Sequence, residues 1–188
     1  MEIYIMDTNR LSKPIEDILN NQVKMEADAA QIYLSYATWA DSEGYGGVAN
    51  LLFRHSGEER NHMMKVIEYI QQRGGRAKVT ALAAPPKDPK NMQECFEKIF
   101  QHEVDNSNAI YEIVNLSLSE KDWATWNFGQ WFVKEQIEEE TLVMDLLDKL
   151  KIAGGPNASS ESLLYLDSKI GNQDDDADLA RDASVDNP

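Results

Sequence analysis

The sequence has a single cysteine, Cys95, among 188 residues. No disulfide can close within the chain, and a cluster held by several thiolates of one chain is excluded. Long apolar runs are missing as well. The opening MEIYIMDTNR lacks the uninterrupted apolar core of a signal peptide, and no stretch is long and apolar enough to span a bilayer. The expectation is a cytoplasmic chain with no membrane partner. Positive charge is scarce, with 18 Lys and Arg against 33 Asp and Glu, a net charge of −15. That balance argues against nucleic acid or an anionic membrane surface as partner, and it suits a protein that attracts cations.

What is present is helical periodicity. Hydrophobic residues make up 42% of the chain, enough for one domain with a full core. Ser12 and Pro14 read as a helix start, and apolar residues then recur at spacings of three and four. Helix one is predicted over residues 14–41, with an inner stripe of Ile15, Leu19, Gln22, Glu26, Ala29, Tyr33, Ala37 and Ala40. A glycine-rich turn leads to helix two, over 48–73, with the stripe Val48, Leu52, His55, Glu59, His62, Val66 and Tyr69. Helix three is expected over 91–118, on Met92, Phe96, Ile99, Glu103, Asn106, Ile110 and Ile113. Ser119 with Asp122 resembles a capping box, and helix four follows to Ile152. Its stripe is read as Phe128, Trp131, Glu135, Glu138 or Glu139, Leu142, Leu146 and Leu150. A short fifth helix is expected over 160–170.

The connection at 76–90, with Pro85, Pro86 and Pro89, is long enough to cross the length of a bundle. The chain therefore divides into an N-terminal extension at 1–13, an all-α four-helix bundle domain with a fifth C-terminal helix at 14–170, and an acidic, unstructured tail at 171–188.

An amphipathic helix normally leaves its inner stripe apolar. Here acids interrupt all four. An ionised carboxylate in a low-dielectric core is penalised by several kcal/mol, roughly, and several together repel. A divalent cation reverses that balance. Glu59 and His62, three apart, are neighbours on one helix face. With Glu26, Glu103 and the cluster Glu135, Glu138 and Glu139 they make a carboxylate-rich set with one imidazole, suited to iron(II), manganese(II) or zinc. Helix four offers no matching Glu-x-x-His, because Glu138 stands three after Glu135 and the segment Glu135-Gln136-Ile137-Glu138-Glu139 has no histidine. The site is expected to be asymmetric. Glu140 reads as a solvated residue, and His55 as a core or interface histidine. Glu120 and Asp122, between helices three and four, read equally as caps or as acids lining a cation entry.

The segments from Glu26 to Tyr33, Glu58 to His62, His102-Glu103, Glu135 to Glu139, and Asn127-Phe128-Gly129-Gln130-Trp131-Phe132 resemble those of the non-haem bacterial ferritins. The resemblance covers roughly residues 14–170. It implies a ferritin-like bundle assembled as a homo-oligomeric shell of twenty-four subunits, and a ferroxidase that takes iron(II), oxidises it with O2 or H2O2 and stores a ferric oxyhydroxide mineral. By position, Glu26, Glu59 and His62 would hold the first of two irons per subunit. Glu59 would bridge, and Glu103 and Glu139 would help hold the second, with Gln136 close by. Glu58, Glu135 and Glu138 would form a third iron site, and Tyr33 would be a tyrosine able to give an electron. No haem is expected, since no methionine is placed to ligate one. Two other functions compete: a shell subunit that only nucleates mineral, and a peroxide-consuming di-iron protein. The single cysteine counts against a rubrerythrin-like form of the latter, which would need a cysteine-ligated iron.

Overall fold

The computed structural model describes residues 6–172. The acidic tail named from the sequence lies almost entirely outside that range. The described residues form α1 (Lys13–Ser42), α2 (Gly46–Gln72), α3 (Met92–Ser119), α4 (Trp123–Ile152), a 3-10 turn at Gly155–Asn157, and α5 (Ser160–Gly171). Each long helix has 27 to 30 residues, so each is roughly 40 Å or more in length at 1.5 Å per residue. No helix among the described residues is long and apolar enough to cross a membrane.

Local chemistry sets the ends. The Ser12 side chain accepts from the Ile15 N–H, and Pro14 occupies the first turn, where a missing N–H costs nothing. Asn91 caps α3 by accepting from Glu94 N at 2.8 Å. The start of α4 differs from the sequence reading. Ser119 is the last residue of α3, and Asp122 itself is the cap, accepting from Thr125 N and from the Thr125 hydroxyl. Between them Lys121 turns the chain with a φ of 60°. Asp122→Ala is expected to cost about 1 kcal/mol of stability, measured by denaturant melting.

The start of α2 is unusual, since Tyr45 makes no side-chain cap. Asp167 of α5, 120 residues away, takes the role by accepting from Gly47 N at 3.0 Å and Val48 N at 2.8 Å. The approach is close. A Cβ on Gly47 would lie 1.9 Å from the Asp167 carbonyl oxygen.

α1 packs mainly on α2, and α3 on α4. The pairings Gln22 to Asn106 and Tyr33 to Glu103 set α1 antiparallel to α3. Because α1 and α2 are joined by a tight turn, α3 runs parallel to α2, and the connection must travel back along the bundle. It does so against α1: Arg76 N donates to Glu16, Lys78 N to Asn20, and Ala83 N to Asp28. The N-terminal residues lie over the other end of α2, with Arg10 N donating to Arg73 O at 2.8 Å.

The core is two apolar clusters rather than one. One gathers Tyr36, Val48, Leu52, Phe96, Leu146, Leu150 and Ile170. The other gathers Leu19, Val23, Val66, Ile70, Ile110, Ile113 and Phe132. Between them lies a buried layer that is almost wholly polar. The stripes expected for α1 and α3 are buried at every position named, and α2 departs only at Tyr69, half-buried beside the buried Ile70.

On α4 the inner face is shifted by one residue. Gly129, Phe132, Gln136, Glu139 and Val143 point inward, while Phe128, Trp131, Glu135 and Leu142 are half-buried flanks. Gly129 explains the rotation in part, because a Cβ there would meet Val114 at 2.9 Å. The missing side chain lets α4 close on α3 at that point. On α5, Leu166 and Ile170 are buried, whereas Leu164 is exposed.

Candidate metal centre

The polar layer is made of four helices. α1 brings Gln22, Glu26 and Tyr33; α2 brings His55, Glu58, Glu59 and His62; α3 brings Glu103 and Asn106; α4 brings Gln136 and Glu139. All are buried. Two donor sets face the middle of the bundle and could hold an ion: Glu26, Glu59 and His62, and Glu59, Glu103 and Glu139, each with ligand atoms within 4.8 Å of one another. Glu59 belongs to both.

Glu59 is only 1% exposed, and neither of its carboxylate oxygens has a hydrogen-bond donor. His62 Nδ1 stands 3.5 Å from its Oε2, beyond the roughly 2.7–3.2 Å of a good N–H···O bond. A buried acid left in that state costs several kcal/mol, roughly, and native cores seldom leave such groups without a partner.

The other acids are held in place. Gln22 Nε2 donates to Glu26 at 2.7 Å and to Asn106 Oδ1 at 2.7 Å. Asn106 Nδ2 reaches Glu26 and Gln136, each at 3.4 Å. Gln136 Nε2 donates to Glu103 Oε2 at 3.1 Å, and the Tyr33 hydroxyl donates to Glu103 Oε1 at 2.6 Å. Neutral amides and a phenol thus aim Glu26 and Glu103 without neutralising them. That is how outer groups orient the ligands of a metal site. Packing fixes His62, which meets Trp131 edge-on at 5.5 Å and Phe132 at 6.0 Å. Lys65 Nζ sits 3.9 Å from the centre of the Trp131 ring.

Burial dominates the titration of the acids. It raises Glu59 well above the usual carboxylate range, with the charge of Glu103 adding to it against the pull of His62. Burial, then the neighbouring Glu139 carboxylate, push Glu58 up to about 7 from its ordinary 4.5. Burial would also raise Glu103, but His102, Tyr33 and Gln136 outweigh it and leave this acid lowered. Burial acts to lower His62, yet the carboxylates of Glu135 and Glu59 leave it well raised. Burial, followed by the charges of Glu103 and Glu139, raises Tyr33 far enough to keep its phenol protonated.

These shifts have a sign for stability. The folded, metal-free protein holds protons on Glu58, Glu59 and His62 that the unfolded chain releases at lower pH. Their contribution is therefore fully present in acid and is lost as pH rises, for Glu58 through about 7. The melting temperature of metal-free protein is expected to fall between about pH 5 and 8. Zinc(II) added at pH 8 should restore it, with protons released on binding. A flat metal-free profile, or no effect of zinc, would contradict this reading of the buried acids.

The site residues named from the sequence are not all gathered. Glu26, Glu59, His62, Glu103, Gln136 and Glu139 lie in the buried layer, with Tyr33 at its edge. Glu58 is buried and Glu135 half-buried at 3.7 Å from His62 Nε2. Glu138 is outside: its side chain is 59% exposed and paired with Lys134 at 3.2 Å. The one-residue rotation of α4 accounts for that. Glu140 is half-buried and accepts from the Ser107 hydroxyl, so it is not simply solvated. Asp122 is a cap, and Glu120 accepts from Ser12. The sequence reading did not assign Gln22, Asn106 and His55 to the site. Each stood on a recognised inner stripe as a polar interruption, and that was the available signal.

The ferritin-like domain model matches residues 16–153. A probable bacterial non-heme ferritin-like protein of Haemophilus influenzae is 35% identical over 162 residues, covering 86% of this chain and 96% of the relative. The bacterial non-heme ferritin of Campylobacter jejuni is 35% identical over 144 residues, covering 77% and 86%. An open pore ferritin from the archaeon Archaeoglobus fulgidus superimposes with a TM-score of 0.83 at 36% identity, covering 87% of this chain and 99% of that one. With the four-helix architecture and an acid-rich layer at its centre, these likenesses place the chain in the ferritin family.

Proposed function

We propose that this chain is an iron-storage ferritin with ferroxidase activity. It would bind two iron(II) ions within one subunit, oxidise them with O2 or H2O2, and pass iron(III) to a mineral inside a homo-oligomeric, twenty-four-subunit shell. The observation that carries the reading is Glu59, buried without a hydrogen-bond donor and shared by two acid-rich triads. A carboxylate so placed can bridge two cations, which is what a two-metal site requires.

The metal supplies the electron chemistry. Each iron(II) gives one electron, so a pair can reduce O2 to H2O2, or H2O2 to two waters, with two protons taken up. The protein supplies position and charge. Glu26 and Glu103 are held by amides and by Tyr33, and His62 is wedged between aromatic rings. The phenol of Tyr33, which donates to Glu103, is near enough to the pair to serve as a local electron source.

The test is to mix metal-free protein with two iron(II) per chain in air and follow absorbance from milliseconds to seconds. A fast phase that saturates near two or three irons per chain supports the ferroxidase. Continued uptake far beyond that ratio into a large, soluble particle supports storage. Oxidation no faster than buffer alone contradicts the catalytic reading and leaves a shell that only nucleates mineral.

A further inference from the structure

We propose that the Lys65 ammonium, set over the face of Trp131, keeps that indole from giving electrons during turnover and so confines oxidation to iron and to Tyr33. The inference rests on the function proposed above. Lys65 acts only through the ring, so it is a positioning residue and not a catalytic one.

Tyr33 and Trp131 are oxidisable rings beside the central acids, and their surroundings are opposite in sign. The Tyr33 hydroxyl donates to Glu103 at 2.6 Å, with Glu139 also close. An electron leaving that phenol is helped by the carboxylates, and its proton has an acceptor in place. Trp131 meets His62 edge-on at 5.5 Å and Phe132 at 4.7 Å. Over its face stands Lys65 Nζ, 3.9 Å from the ring centre, well inside the roughly 6 Å at which an aromatic face holds a cation. The neutral indole attracts the ammonium, whereas an indole that has lost an electron repels it. Lys65 therefore makes electron loss from Trp131 harder.

The contact is built into the helices. Lys65 follows His62 by three residues on α2, and Trp131 precedes Glu135 by four on α4, so each shares a face with a residue of the site. Lys65 and Trp131 are both half-buried, which limits screening by salt. Burial disfavours the ammonium, while the charges of Glu135 and Glu68 favour it.

In the step that Lys65 opposes, the indole gives one electron and its N–H proton, one iron(II) gives the second electron, and H2O2 with one further proton becomes two waters. The indolyl radical then returns an electron to the iron(III), adds water and releases a proton, leaving hydroxytryptophan and iron(II). One H2O2 is consumed, one oxygen is added to the ring, and no iron is oxidised.

The test compares wild type with Lys65→Met, which keeps the length without the charge, and Lys65→Arg, which keeps a cation over the ring. Each receives repeated additions of two iron(II) and one H2O2 per chain under nitrogen. Fragment mass spectrometry then measures the share of Trp131 that carries one extra oxygen. Trp131 of Lys65→Met is expected to be oxidised at least about fivefold more than in wild type or Lys65→Arg. Trp39, in the other apolar cluster, is expected to stay unmodified in all three, which separates the effect from a loosened fold. A second arm omits iron. Metal-free protein meets azide radical, which takes one electron from an indole and becomes azide, and the same order is expected at Trp131. Equal oxidation of Trp131 in wild type and Lys65→Met in either arm, oxidation in Lys65→Arg that matches Lys65→Met, or a parallel rise at Trp39 overturns the assignment while the ferroxidase stands. No fast iron oxidation in wild type overturns the function proposed above, and the role of Lys65 in it falls even where the azide arm shows the expected order.

Discussion

Glu59→Gln is expected to oxidise iron(II) no faster than buffer, a loss on the order of 100-fold or more in the fast phase. Gln136, Gln22 and Tyr33 aim their neighbours, and changing a group of that kind costs about 10–100-fold. Glu59 differs in kind, because it alone is common to both central donor sets. Its amide variant keeps the shape but gives up the charge and one coordinating oxygen. The same substitution should leave the metal-free protein as stable as wild type or more stable, by up to about 1–4 kcal/mol. A buried acid without a donor burdens the fold unless a cation is present. Stopped-flow absorbance and a melting curve on one sample separate the two effects. Wild-type oxidation in Glu59→Gln would mean that the pair is held elsewhere.

Gly47→Ala is expected to release α5 from the bundle, lowering stability by about 3–5 kcal/mol. The new Cβ would lie 1.9 Å from the Asp167 carbonyl oxygen, a further 2.8 Å contact falls on Gly171 N, and both are backbone that cannot turn aside. Moving α5 away removes the Asp167 cap from Gly47 N and Val48 N and exposes Leu166 and Ile170. The rest of the bundle keeps its own core, so the expected sign is early proteolysis in residues 153–172 with α1 to α4 still helical. Denaturant melting and limited trypsin digestion check it. A variant within about 1 kcal/mol of wild type and equally resistant would show that α5 contributes little.

Much of this molecule is legible in its sequence because helical spacing is strict. On α1 and α3 apolar neighbours such as Ile18-Leu19 and Ile99-Phe100 also occur, but the residues three and four apart select the inner face, and every named position is buried. On α4 the adjacent pairs Phe128-Gly129, Trp131-Phe132, Glu135-Gln136 and Leu142-Val143 allow two faces about 100° apart. Counting aromatics favours the wrong one, because Gly129 has no hydrophobic signal and matters only by letting Val114 approach. Glu138 moves to solvent for that reason.

The central acids were legible for the opposite reason, since carboxylates in an apolar stripe conflict with burial unless something compensates them. His55 was not, because an imidazole on a stripe fits a core equally well. Only the position of Glu139, on a helix 84 residues later, gives it a second acid. The cap that Asp167 places on α2 likewise depends on a contact across 120 residues. No local pattern announces such a contact.

The most direct test of the account is to soak crystals of the protein in iron(II) under nitrogen and locate the iron by anomalous scattering. The account predicts two strong sites about 3.5–4 Å apart, one against Glu26, Glu59 and His62, the other against Glu59, Glu103 and Glu139. Iron confined to surface acids, with the four-helix centre empty, would contradict it.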